Sequence, residues 1–223
     1  MPTMTPTTHL DVLDAAEHMP LGSVLVVNDF SWDEYELLMQ DLDGRRNPRL
    51  SYDCGRLEVV STSSRHEQYA WLIDKVICAY CESCDSMLSG YGHATWKSKP
   101  VAKGAEGDLS YYTENASRVM QKEQINLESD PPPDLVVEVD LTTDSMKKLS
   151  IYAGLGVPEV WRWDGQAYHF YELTDGRYTE TADSRCLPDF TVSLLTGAME
   201  TFRTIDPIEA VKTFRRQFKN LKK

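Results

Sequence analysis

Between Leu135 and Asp140 the chain reads Leu-Val-Val-Glu-Val-Asp, an apolar run of strand length whose second half carries two acids. Pro131, Pro132 and Pro133 precede it. They mark a loop, because proline is excluded from helix interiors and central strands. A short run of β-branched residues predicts a buried strand. With a period of two, Val136, Glu138 and Asp140 share one face, while Leu135, Val137 and Val139 share the other. Two acids at the end of a buried strand are costly unless a cation or a partner neutralises them.

The same periodicities predict the remaining elements. Residues 32–42 read as an amphipathic helix capped by Ser31, with Glu34 completing a capping box. Arg49 to Ser61 reads as a hairpin turning at Asp53-Cys54-Gly55. From Arg65 to about Glu82, Leu72, Ile73, Val76, Ile77 and Tyr80 recur at helical spacing, behind the candidate caps Ser61 to Ser64. His66-Glu67 falls in that helix's first turn, where an acid is already explained by the helix dipole. Several short extended stretches follow from Ser86 to Tyr112, and Asp108 opens the last of them, where it also fits an ordinary turn aspartate. Glu114 to Asp130 is polar and aperiodic and reads as a surface loop. After the acid-bearing strand, Thr143 or Asp144 can cap a helix that runs to about Gly154, with Gly154 and Gly156 as its stop. Strands over 157–163, 167–173 and 177–181 and helices over 194–202 and 208–221 complete a mixed α/β pattern with one sheet.

Composition narrows the class. The 223 residues suit one domain with appendages, and 41% of them are hydrophobic. No apolar run reaches the ~20 residues of a membrane span, and Met1 to His9 lacks the basic head and apolar core of a secretory signal. The expected location is the cytoplasm. The expected organisation is a loose N-terminal segment over 1–28, a single domain over 29–203 and a basic C-terminal helix or tail over 204–223. Net charge is −12, yet the stretch from Arg203 to Lys223 holds seven Lys/Arg against two Asp/Glu, a balance of +5 against −17 elsewhere. The last helix therefore reads as a docking helix with a solvated basic side, and a nucleic-acid backbone contact is its sharper alternative. Five cysteines are an odd number, which argues against a disulfide framework. Cys78, Cys81 and Cys84 have metal-like spacing but no fourth ligand close by, so packing on a helix is the simpler account.

One reaction uses the acids. Metal-dependent phosphodiester cleavage needs a hard cation held by one or two carboxylates, and Mg²⁺ keeps several waters. Asp108 and Glu138 are the candidate ligands. Lys148 is the candidate cation for orienting water or stabilising developing charge. It lines up with Ser145, Tyr152 and Leu155 on the core-facing side of its helix, near the helix start, while Lys147 points about a quarter-turn away.

These residues carry a family resemblance. Asp134 to Asp140, Lys148 to Asp164, Gly55 to Ser61, His66-Glu67 and Gly104 to Tyr112 together resemble, in order, the Uma2 family of bacterial restriction-endonuclease-like proteins, over about residues 30–195. The resemblance implies the PD-(D/E)xK nuclease fold, a restriction-endonuclease-like α/β core with a mixed central sheet flanked by helices. It implies a DNA endonuclease using Mg²⁺ or Mn²⁺, with DNA as partner and a homodimer as assembly, for which the aromatic strands around Trp161 to Tyr171 are candidate interface. Asp108 and Glu138 would be the acids of the two half-motifs and Glu67 an additional acid from the first core helix. Two positions depart from the pattern. Gly107 stands where a proline is usual, and Asp140 fills the slot of the standard lysine, whose place Lys148 would take. An inactive nuclease-fold module that binds DNA or a partner protein is the alternative.

Overall fold

The computed structural model describes residues 8–42, 47–141 and 145–221, the last three without their side chains. The chain forms two sheets where one was expected. The smaller is antiparallel throughout. Its order is β1 (Val24–Val27), β3 (Arg56–Val60), β2 (Arg49–Asp53), β6 (Lys103–Glu106) and β5 (Thr95–Ser98). The larger runs β11 (Arg177–Thr181), β10 (Tyr168–Thr174), β9 (Glu159–Trp163), β8 (Leu135–Val139), β7 (Leu109–Tyr112) and β4 (Ser89–Gly90). It is the mixed central sheet, because β8 and β9 pair in parallel while its other neighbours are antiparallel. A parallel pair needs a crossover. Here it is a 3-10 turn, Ser145–Lys147, leading into helix α5 (Lys148–Leu155), labelled in chain order with those below. Thr143 and Asp144, the expected caps, lie outside the described residues.

The alternation along β8 sorts the core. Leu135, Val137 and Val139 pack with α3 (Ser64–Ser83), α6 (Val192–Phe202) and α7 (Pro207–Leu221). Val136, on the opposite face, packs with Ile151, Tyr152 and Leu155 of α5 and with Trp96 and Ala105 of the smaller sheet. Helix α5 thus ties the two sheets together. It ends at Gly156, whose φ of 77° is the left-handed stop that glycine takes without strain. Gly154, the other expected stop, lies inside the helix.

The smaller sheet is divided by the same period-two rule. Leu50, Tyr52, Leu57 and Val59 bury themselves with α1 (His9–Glu17) and α2 (Trp32–Asp41), the latter closed by the Ser31–Glu34 capping box. Arg49, Ser51, Asp53, Arg56 and Glu58 alternate with them and take the other face. A polar sheet face is thereby turned toward α5.

Three expectations change. Residues 9–17 and 24–27 are not loose: α1 carries its own capping box between Thr8 and Asp11, buries Val12 and Ala16, and packs on α2. The C-terminal segment is no tail, since Phe214 and Phe218 of α7 enter the main core beside α3. The aromatic strands are core too. Trp161 stacks on Phe170 at 4.1 Å, both fully buried, so only the alternate face, with Arg162, His169 and Tyr171, is partly exposed. Within the expected surface loop a single short helix, α4 (Ala116–Val119), buries two of its residues.

Candidate active site

Asp108 stands at the start of β7, beside the acid-bearing end of β8. Its N–H donates to Val137 O at 3.0 Å and its Oδ2 accepts from Val139 N–H at 2.7 Å. Those two bonds bracket Glu138 and fix the two carboxylates side by side. Gly107 makes this approach possible: a Cβ there would lie 2.6 Å from Val136 Cγ1. A larger residue, such as the proline usual in the family, would require the Val136 side chain to shift.

Lys148 closes the cluster from the first position of α5. Its Nζ lies 3.2 and 3.0 Å from the two Glu138 oxygens and 3.2 Å from Glu106 O. Tyr152, one helical turn on, donates its hydroxyl to Glu138 Oε1. Lys147 is exposed, as its position on the helix requires.

His66 is the residue the sequence reading left as capping chemistry. Its Nε2 sits 3.0 Å from Asp108 Oδ2, and the ring is buried. Glu67, the expected third acid, is half exposed and turns elsewhere. Its Oε1 accepts from Arg49 Nη2 at 3.1 Å and from Thr62 Oγ1 at 3.4 Å. Adjacent helical residues point about 100° apart, so only one of the pair can face the sheet. Glu67 therefore belongs to the rim. Arg49, also unforeseen, is buried among the cleft residues with its Nε lacking a protein partner.

Asp140 is structural. Its Oδ2 accepts from Ser145 N–H and Oγ, both at 3.0 Å, and pairs with Arg162 Nε on β9. It pins the turn that leads into α5, and so positions Lys148. The acid in the lysine slot holds the element that supplies the lysine.

The electrostatics separate two similar acids. Burial works against a charged Asp108, but the His66 hydrogen bond, the His66 and Lys148 charges and the Val139 N–H outweigh it and hold its carboxyl below the usual range. Burial pushes Glu138 up to about 7 despite Lys148, with the Asp108 charge adding to the rise. Burial disfavours charge on His66 and on Lys148, yet their carboxylate neighbours raise both. Asp108 is thus ionised at neutral pH, and Glu138 is poised near it.

The cleft enclosed by Arg49, Thr62, His66, Asp108, Glu138 and Lys148 holds about 20 Å³, roughly one water-sized sphere. Lys148 and Glu58 also border a wider groove of about 260 Å³, along the polar face of the smaller sheet, lined by Ser51, Asp53, Arg56 and Lys147. Among the described residues no three His, Cys, Asp or Glu side chains are gathered as a metal cage. Cys78, Cys81 and Cys84 run along the end of α3, with Cys81 buried in the core. Of the four buried carboxylates around the cleft, Glu58 pairs with Arg56 and Asp140 with Arg162, and His66 is engaged by Asp108. That leaves Asp108 and Glu138 as oxygen donors for a cation that keeps most of its water, as Mg²⁺ does, rather than a fully protein-ligated zinc.

No helix among the described residues is long and apolar enough to cross a membrane. A search of curated proteins found no match. Among solved structures, the chain is similar to one described as a putative nuclease belonging to DUF820 from Anabaena variabilis ATCC 29413, at 14% identity. That match covers 74% of this chain and 96% of the other with a TM-score of 0.49. Residues 32–197 match the Uma2 family, described as "Putative restriction endonuclease". That span includes Asp108, Glu138, Lys148 and His66, and it exceeds half of the chain. The chain belongs to the Uma2 family.

Proposed function

We propose that this protein is a metal-dependent DNA endonuclease, cutting phosphodiester bonds at the Asp108–Glu138–Lys148 cluster. The observation that carries the reading is the convergence of two buried carboxylates from adjacent strands with a buried ammonium from the next helix. Asp108 and Glu138 would hold a divalent cation, Mg²⁺ or Mn²⁺, which supplies charge neutralisation at the phosphate and a more acidic water. His66 keeps Asp108 ionised and oriented. Lys148 neutralises Glu138 in the resting site and offers its ammonium to the developing negative charge. The exposed Lys147, bordering the wider groove, stands where a phosphate backbone can be gripped, while the buried Arg49, paired with Glu67, adds positive charge behind the cleft.

The test is plasmid cleavage with Mg²⁺ or Mn²⁺ by wild type, Glu138→Gln, Glu138→Ala and Lys148→Ala, with circular dichroism to confirm folding. Each folded variant is expected to lose about 100-fold or more of the activity. The glutamine variant keeps the side-chain shape where alanine strands a buried charge. Equal activity in all four proteins would remove the site assignment. DNA binding without cleavage in the wild type would support a silent nuclease-fold module instead.

A further inference from the structure

Helix α3 does more than aim His66 at Asp108. Its positions 65, 69 and 72 form the neighbouring stripe and line a second cavity of about 260 Å³, closed by the ends of β9, β10 and α6. That volume is just under the range of about 300–1,000 Å³ typical of drug-sized ligand sites. It suits a single ring system with a substituent, not a run of nucleotides.

Its lining is an aromatic ladder with two cations. The Arg65 guanidinium lies 5.9 Å over Tyr69, Tyr69 stacks on Trp163 at 5.9 Å, and Trp163 packs on Tyr168 at 4.4 Å. Met199 and Arg203 face them from α6. The charged lining residues are Arg65, Arg203 and Glu200, a positive balance in a chain of net charge −12. Trp163 Nε1 and the Tyr168 hydroxyl are buried without a protein partner. Both atoms are closed off from the cavity, so its wall is made by the rings and not by their polar atoms. Arg203 has an ordinary reason to be where it is, since it caps the C-terminus of α6. Arg65 has none. It sits in the first turn of α3, where the helix dipole repels a cation, and it is exposed. A planar ligand carrying an anionic group matches the aromatic wall and the two guanidinium groups together.

We propose that this cavity binds one nucleotide, its base against the Tyr69–Trp163–Tyr168 wall and its phosphate reached by Arg65 and Arg203. Stacking of bases on aromatic side chains tolerates any base, so the site is expected to grip without reading sequence. The proposal rests on the nuclease reading only in making DNA the first source of that nucleotide; a free mononucleotide offers the same chemistry.

The experiment titrates the full chain, without divalent cation, with the four deoxynucleoside 5′-monophosphates by calorimetry. A parallel titration uses a duplex carrying 2-aminopurine. Mononucleotide binding is expected, about tenfold weaker in Arg65→Ala and Tyr69→Ala, and lost in Thr196→Trp, which fills the cavity from α6. A rise in 2-aminopurine fluorescence that Thr196→Trp abolishes identifies a base drawn from DNA. Mononucleotide binding with no such rise identifies a free nucleotide. Absence of mononucleotide binding overturns the proposal. Plasmid cleavage run alongside separates the two readings: a chain that cleaves without binding nucleotide loses this site alone, and one that binds nucleotide without cleaving loses the nuclease reading alone.

Discussion

Asp108 and Glu138 are chemically similar acids in one cavity, yet their surroundings drive them apart. Asp108 has His66 and a backbone N–H on one oxygen, whereas Glu138 is fully buried beside an already ionised neighbour and is pushed up to about 7. A neutral carboxyl holds a cation poorly, so cleavage is expected to climb with pH through about 7 and then level off. The stability contribution has the opposite sign. Between the ordinary value of 4.5 and about 7 the folded state holds the Glu138 proton more tightly than the unfolded chain does. That contribution is present in acid and is lost as pH rises through about 7. Measured at limiting divalent cation, a cleavage rate already flat well below pH 7 would refute the assignment; saturating cation, competing with the proton, is expected to move the rise to lower pH. Strand alternation and helical spacing put Glu138 and Lys148 on facing sides, whereas Asp108, which alone reads as a turn aspartate, was singled out by the family resemblance. His66 was legible as well. Counting back from Tyr80, Ile77 and Ile73 by fourteen, eleven and seven residues reaches position 66 and not 67, so the helix periodicity placed the histidine on the buried face. Capping chemistry at the helix start masked that signal. Arg49 could not be read, since its burial depends on the second sheet lying over the site.

At the scale of elements, the acid-bearing strand, the 3-10 turn and α5 act as one unit. Asp140 pins the turn through Ser145 and Arg162, and the first residue of the helix then delivers Lys148 to Glu138. Sequence spacing reached this pair because it is local. The contacts that spacing cannot see are between elements far apart in the chain. Helix α7 is the instance that matters for stability: its strong amphipathic stripe was visible, but its dock was not. Phe218 meets Tyr80 edge-on at 4.9 Å, and Phe214 is buried beside it. If α7 were a detachable basic tail, truncating either ring would cost little. As part of the core, Phe214→Ala or Phe218→Ala is expected to destabilise the protein by about 3–5 kcal/mol. Urea unfolding at constant m value measures it, and a loss below about 1 kcal/mol would return the helix to the surface.

Over the whole molecule, the second sheet changes what the acidic composition means. Its apolar face packs under α1 and α2, while its other face, with Arg49, Arg56 and Glu58, roofs the cleft and the adjoining groove. DNA that reaches Lys148 along this groove meets a protein of net charge −12 and a cleft with four buried carboxylates, Glu58, Asp108, Glu138 and Asp140. Without a metal, Lys148 is paired with Glu138 and His66 is held by Asp108, so neither offsets a phosphate until a cation takes over the carboxylates. A divalent cation between Asp108 and Glu138 would do so. Affinity for DNA should therefore be weak in chelator and rise on the order of tenfold or more with a divalent cation, about 1.4 kcal/mol per factor of ten. Fluorescence anisotropy of a labelled duplex, with Ca²⁺ as a cation that holds cleavage back, measures the rise at fixed ionic strength, since salt alone shifts such affinities. Asp108→Asn removes one ligand charge and should flatten the response, whereas Phe218→Ala, far from the cleft, should leave it intact wherever the chain is folded. Equal DNA affinity in chelator and in Ca²⁺ would mean that the acids serve the fold, with Lys148 as their permanent counter-ion.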